Sequence, residues 1–401
     1  MNKNFFNVVI PTKNRLSTLR HSLKTVLNQN YDNYMIIVSD NNSSDGTYEF
    51  INRLNCQKIK YYNTGLSLSM SSNFEFAISK VDEGFVIVIG DDDGLLPHAL
   101  EDINALLNQE HVLAISSKSV TYYWPGGSPI QDLLMVPTGC GGTTARKTSA
   151  ESLRSVLTGD LHYSELPMLY TGGVVHSSLI ERARNCNGRF YNSFTPDMYS
   201  GIAIASVVDQ FLRCEAPFSI SGISKYSNGQ SQLGVSKNGS IAEDFFRVND
   251  IPFYHALGDG KIKSIHLLTL EAYIQSGFLR ENEDQIDMVR QFEIIAAKSP
   301  KNLRKEILIY LKVHCLFDPG FFSSSQIVMH VLMAKFMLID IVRKFNRLIF
   351  WDPISVGGKV RNVYEASEYI IKTNLSFGER ILYKLKYVKL KIKKYFYLQT
   401  N

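Results

Sequence analysis

Apolar side chains in the first hundred residues recur at two alternating spacings. Asn7 to Ile10 reads as a buried strand, after which Leu16, Leu19, Leu23, Val26 and Leu27 fall on one face of a helix. Tyr34 to Val38 predicts a second strand and Lys58 to Tyr62 a shorter third. Between them runs Asn41-Asn42-Ser43-Ser44-Asp45-Gly46, a turn and helix cap. Phe85 to Ile89, wholly β-branched or aromatic and followed by Gly90, predicts a central strand. Pro97 suits the first turn of a helix through Leu100, Ile103 and Leu106. Val112 to Ser116 and Val120 to Trp124 read as two further strands. Alternation of this kind produces β-α-β units, hence an α/β fold with a mainly parallel, Rossmann-like sheet and flanking helices.

The pattern then loosens. Gly, Pro, Ser and Thr dominate from Pro125 to Thr148, which predicts a loop or crossover. Val174-Val175, Phe218 to Ile220 and the Gly-, Ser- and Asn-rich stretch 221–240 carry sheet and loop structure to about residue 240. From Ile241 onward helical spacing takes over, in His266 to Gln275, Ile286 to Ala297, Asn302 to Val313 and Gln326 to Phe350. The expected organisation is a sheet-based domain over 1–250, a helical extension over 251–379 and a tail over 380–401.

Composition narrows the function classes. The chain has 401 residues, 45% apolar and 20% charged, which supports a large core and excludes general disorder. Its net charge of +5 is concentrated at the end: 380–401 holds seven bases and no acid, and the remaining 36 bases and 38 acids leave −2. A slightly acidic body argues against nucleic acid as a partner, because duplex binding needs a basic face on the folded domain. Five scattered cysteines without a CxxC pair read as reduced thiols. With no run of about 18 apolar residues and no leader-like N-terminus, the expectation is a cytoplasmic protein that spans no membrane.

The chemistry concentrates at strand ends. Asp91-Asp92-Asp93 follows the central strand directly, and three adjacent carboxylates repel one another unless a positive group sits among them. Ligand sites of open α/β sheets lie at the carboxyl ends of strands. Hard oxygens on a tight turn suit Mg²⁺ or Mn²⁺, which can bridge nucleotide phosphates. A solvated acidic turn capping the next helix is the plain alternative. Strand one ends in Pro11-Thr12-Lys13-Asn14-Arg15, where polar groups and a helix N-terminus could receive phosphates. Strand two ends in Ser39-Asp40-Asn41-Asn42, where a carboxylate could accept a hydrogen bond from a base.

These three segments, Val8 to Arg15, Val38 to Thr47 and Gly90 to Pro97, resemble the successive motifs of family two glycosyltransferases over about residues 5 to 110. The resemblance implies the GT-A fold and donor-binding roles for Pro11, Thr12, Asn14, Arg15, Asp40, Asp91 and Asp92. It makes the acidic cluster the DxD motif, with Asp93 the principal metal ligand and Asp91 or Asp92 near the ribose or the metal. Ser39 and Gly94 depart from common forms of the motifs.

Inverting transfer needs a carboxylate to take the proton of the attacking hydroxyl. Asp197, in Phe194-Thr195-Pro196-Asp197, resembles the family's base position; its plain alternative is a carboxylate stabilised at a helix N-terminus. Asp209 is a rival later in the same helix. Tyr170 and His176 are candidate acceptor contacts, and 227–231 a candidate lid. The tail interleaves bases with apolar residues, which suits an anionic membrane surface or packing on the body. The resemblance thus implies transfer from a nucleoside diphosphate sugar, expected to be UDP-linked, to a glycan or lipid-linked acceptor in surface polysaccharide synthesis, with the protein peripheral on the inner face of the cytoplasmic membrane. The rivals are a non-catalytic nucleotide-sugar-binding or scaffolding protein and a sugar nucleotidyltransferase, the latter disfavoured by the absence of glycine from residues 11–15.

Overall fold

The computed structural model describes residues 2–126, 132–137, 143–225, 227, 250–257, 264–280, 286–299, 304, 309, 326–356 and 358–372. The predicted helix over 302–313 and the tail over 380–401 lie essentially or wholly outside these residues, as does the candidate lid beyond Ser227.

The first half follows β1 (Phe6–Thr12), α1 (Leu16–Leu27), β2 (Tyr34–Asp40), α2 (Thr47–Leu54), β3 (Ile59–Asn63), α3 (Met70–Ile78), β4 (Phe85–Val88), β5 (Gly94–Leu95) and α4 (Ala99–Glu110). Strands β3, β2, β1 and β4 lie side by side and parallel, with Val8 level with Ile36 and Ile87. Successive residues of a strand face opposite sides of the sheet, so each strand serves two cores. Val8, Ile10, Ile36 and Ile87 pack with Leu19 and Leu23 of α1 and Leu100 and Ile103 of α4. Val9, Ile37, Val86 and Val88 pack on the other face with Phe74 of α3.

β6 (Ala114–Tyr123) merges the two strands expected at 112–116 and 120–124. The supposed loop beyond it contains β7 (Leu133–Pro137) and β8 (Thr144–Thr148), followed by α5 (Ser149–Leu157). β9 (Gly173–His176) runs antiparallel between β4 and β6 and leads into α6 (Ser177–Arg182). After α7 (Pro196–Val207) comes β10 (Gln210–Ile223), parallel to β6 and antiparallel to β8 and β5. α7 is apolar on every side, as a helix buried in the core must be: Met198, Tyr199, Ile202, Ala203 and Ile204 are all covered.

The later helices are α8 (Ile265–Gln275), α9 (Met288–Lys298) and α10 (Gln326–Phe350). Two elements here were not expected. β11 (Trp351–Ser355) returns to the sheet and pairs antiparallel with β7, and α11 (Val363–Lys372) packs on α1. The later segment therefore contributes to the sheet as well as to the helices. The expected α/β class, with a mostly parallel central sheet and flanking helices, is present.

Candidate active site

The carboxyl ends of β1 and β4 meet on one side of the sheet, and their turns are tied to one another. Arg15, just before α1, places its guanidinium 3.1 Å from Asp91, and the Thr12 hydroxyl donates to the other Asp91 oxygen at 2.7 Å. Burial, opposed by the Arg15 charge, still raises the Asp91 pKa to about 6. Asp92 accepts from the hydroxyls of Ser224 at 2.6 Å and Ser227 at 2.8 Å, while its carbonyl receives the Trp124 indole N–H at 3.0 Å.

Asp93 is differently placed. One oxygen accepts from Gly90 N–H at 2.8 Å and the Thr171 hydroxyl at 2.7 Å, and the other from Gly222 N–H at 2.7 Å. Burial, with the neighbouring Asp92 charge, raises its pKa to about 7. Gly222 lies so close that a Cβ there would sit 1.8 Å from the Asp92 carbonyl oxygen, so only glycine fits.

A cavity of about 1110 Å³ opens beside this turn. Pro11, Arg15, Asp91, Asp92, Tyr170 and Asp197 line it. Pro196 starts α7 and Asp197 follows in its first turn, which directs that carboxyl towards the cavity. Its own and Met198's backbone N–H groups and the Tyr163 hydroxyl, at 3.5 Å, favour the ionised form. Burial outweighs them and raises its pKa. The Tyr170 phenol is pushed far up by burial and by Asp93 and Asp92.

Not every expected residue joins this group. Thr12 supports Asp91 from behind. Asn14, with φ +53°, links the turns after β1 and β2: its N–H donates to Ser43 Oγ and its side chain accepts from Ser44 N–H. Asp40 is fully buried, receives Ser43 N–H at 2.9 Å and the Tyr61 hydroxyl at 2.6 Å, and does not line the cavity. Asp93 does not line it either; its oxygens accept from Gly90, Thr171 and Gly222. His176 requires a correction. β9 runs against β4, so His176 sits level with Phe85 at the opposite end of the sheet, where its Nδ1 caps α6. Asp209 lies beyond the end of α7, is exposed, and is absent from the lining.

Other lining residues were not anticipated. Arg213 of β10 pairs with Glu165 at 2.8 Å and Glu215 at 3.4 Å and donates to Ser116 Oγ, while Lys118 pairs with Glu215. Their signal was the polar break Ser116-Ser117-Lys118-Ser119 inside an otherwise apolar segment, which had been read as a gap between strands. Ser224 and Thr171 carried no signal of their own.

The donor set suits a divalent cation. Asp91 and Asp92 present carboxylates at the cavity wall, and Mg²⁺ or Mn²⁺ is commonly held by one or two such groups together with phosphate oxygens. No group of three or more His, Cys, Asp or Glu suited to a metal occurs among the described residues, so those phosphates would have to complete the shell.

The parallel 3-2-1-4 sheet with an acidic turn at the end of its central strand has the α/β form expected of the GT-A fold. Residues 7–148 match the model of Glycosyl transferase family 2. It is 33% identical over 106 residues to the GalNAc(5)-diNAcBac-PP-undecaprenol beta-1,3-glucosyltransferase of Campylobacter jejuni subsp. jejuni serotype O:2, covering 26% of this chain and 34% of that protein. The chain thus matches about a third of the length of this curated relative. Among solved structures, S. aureus TarS 1-349 in complex with UDP-GlcNAc aligns at 13% identity and TM-score 0.46, over 78% of this chain and 88% of that one. The mannosyltransferase PcManGT from Pyrobaculum calidifontis in complex with GDP-Man and Mn²⁺ aligns at 15% identity and TM-score 0.40, over 85% and 88%.

Proposed function

We propose that the protein transfers a sugar, with inversion, from a nucleoside diphosphate donor, taken here as UDP-linked, to a hydroxyl of a glycan or lipid-linked acceptor. The observation that carries this reading is the convergence of Arg15, the adjacent Asp91 and Asp92, and Asp197 on one cavity from three separate points of the chain. The match of residues 7–148 to the glycosyltransferase family model supports sugar transfer. The named lipid-linked substrate of the Campylobacter relative supports an acceptor of that kind.

In this mechanism the diphosphate lies against Arg15 and the Asp91–Asp92 turn. A divalent cation held by these two aspartates supplies charge neutralisation to the departing diphosphate. Arg15 is already oriented by Asp91, so its charge reaches the phosphates without losing side-chain freedom on binding. Asp197 takes the proton from the attacking acceptor hydroxyl. Burial sets its proton affinity above that of a solvated carboxylate, which strengthens it as a base. Asp93 holds the turn in shape and Asp40 anchors the neighbouring loop.

The test is metal-dependent release of nucleoside diphosphate from a panel of UDP-, GDP- and dTDP-sugars. Asp197→Asn should lower turnover by roughly 10²–10⁴-fold while donor affinity stays within about twofold. Undiminished turnover in that variant would remove Asp197 from the reaction, and donor binding without any turnover in the parent protein would favour the non-catalytic alternative.

A further inference from the structure

Half of the eighteen large apolar side chains exposed among the described residues belong to α10. Val331, Leu338, Ile341, Val342, Phe345 and Ile349 recur at three-, four- and seven-residue steps, which places them on one face of the helix. Leu338 is 62% exposed and Phe345 61%, values ordinary for surface lysines and unusual for a continuous row of this kind. The opposite face is anchored. Leu332 and Phe336 are buried against Ile294 and Ala297 of α9, Lys335 pairs with Asp160 at 2.8 Å, and Arg343 donates to the Asp160 carbonyl at 3.0 Å.

Three further observations select the occupant. Residues 330–350 hold four bases against the single acid Asp340; with Lys335 and Arg343 held at Asp160, Lys344 and Arg347 keep the helix basic, which matches an anionic surface. The 25-residue helix is about 37 Å long, yet no helix among the described residues is long and apolar enough to cross a membrane. A strong apolar row on a charged helix suits lying in the plane of a bilayer interface. The same helix also reaches the site: Arg343, Asn346, Arg347 and Phe350 line the cavity that contains Asp91, Asp92 and Asp197.

We infer that α10 is a membrane-docking surface: its apolar row enters the headgroup region of an anionic bilayer and sets the cavity mouth at the lipid surface. The lipid-linked acceptor rests on the proposed function, whereas the docking surface rests on α10 alone. An acceptor whose lipid stays in the bilayer would then reach the cavity past Arg343 and Arg347, which carry the charge to meet a phosphate at that boundary.

The test is flotation of the full chain with vesicles of 30% phosphatidylglycerol in phosphatidylcholine. Replacing three outward side chains, in a Leu338→Gln, Val342→Gln, Phe345→Gln variant, keeps every base in place, including those of 380–401. Its partition coefficient should fall by roughly 10- to 100-fold, the range for removing three partly inserted apolar groups. A second variant, Ile341→Trp, should show a blue-shifted emission on adding vesicles and quenching by brominated lipid. Unchanged flotation of the triple variant, or no emission change in Ile341→Trp, would overturn the proposal. So would a parent chain that sediments as a dimer without vesicles and becomes monomeric with the triple change, since a second copy would then cover the row. Donor hydrolysis without acceptor, measured in parallel, should be equal in parent and triple variant. Its absence from both would count against the proposed function and leave the membrane result standing.

Discussion

The turn after β4 and the start of α7 each hold a buried aspartate whose pKa is raised by burial, and the two are used in opposite ways. Asp93 receives three hydrogen bonds, from Gly90, Thr171 and Gly222, and is absent from the cavity wall. Asp197 receives a tyrosine hydroxyl at the limit of bonding distance, together with local backbone N–H groups, and faces the cavity. A carboxylate enclosed by converging donors from distant segments is a structural fastening. One left facing space remains available for proton transfer.

The sharpest contrast comes from making the same change at both positions. Asp197→Asn should lose turnover over the range given above, yet its melting temperature should hold or rise, because a desolvated charge has been removed. Asp93→Asn should do the reverse. Its new amide N–H groups would face donors, and a loss of roughly 2–4 kcal/mol is expected, read as a lower denaturation midpoint. Equal melting of the two variants would erase the distinction.

A smaller effect tests burial away from the site. Glu271 of α8 is fully covered, and burial raises its pKa to about 7 against donation from Ser193 and Gln275. The native state therefore holds a proton that the unfolded chain gives up above its ordinary value near 4.5. Stability from this group is complete at low pH and is lost as pH rises through about 7. Glu271→Gln should flatten that dependence and add roughly 1–3 kcal/mol at pH 8, measured by denaturation across pH.

The smallest effect concerns the Tyr163 contact. Tyr163→Phe removes a donor to the ionised Asp197, so that carboxylate gains a proton more readily. The acidic limb of the pH–rate profile should move to higher pH, with less than about tenfold loss at neutrality for so long a bond. A profile that stays fixed would show that the contact does nothing.

Where the sequence was legible, one physical signal dominated locally. β1, β2 and β4 are unbroken apolar runs buried on both faces, and each ends in polar residues whose position at the strand terminus carries the chemistry. The segments that escaped lack such a signal. β8 is Thr-Ala-Arg-Lys-Thr, largely exposed, with no alternation to read. β11 contains Pro353, a residue tolerated only at a sheet edge, and it does lie at that edge, paired with β7 alone. β6 was split in two because Ser117, Lys118 and Ser119 interrupt its apolar character, and these same residues line the cavity. The surroundings of Asp93 were hidden by distance along the chain: Thr171 and Gly222, which donate to its oxygens, lie 78 and 129 residues further on.

That separation has a consequence for fragments and for synthesis. The family-matched segment ends at residue 148, so a polypeptide cut there would retain all three aspartates and none of Thr171, Gly222 or Ser224. During translation the acidic turn emerges long before its donors. The pocket can mature only after β10 has left the ribosome, and shortened versions should be judged by whether they reach Ser227.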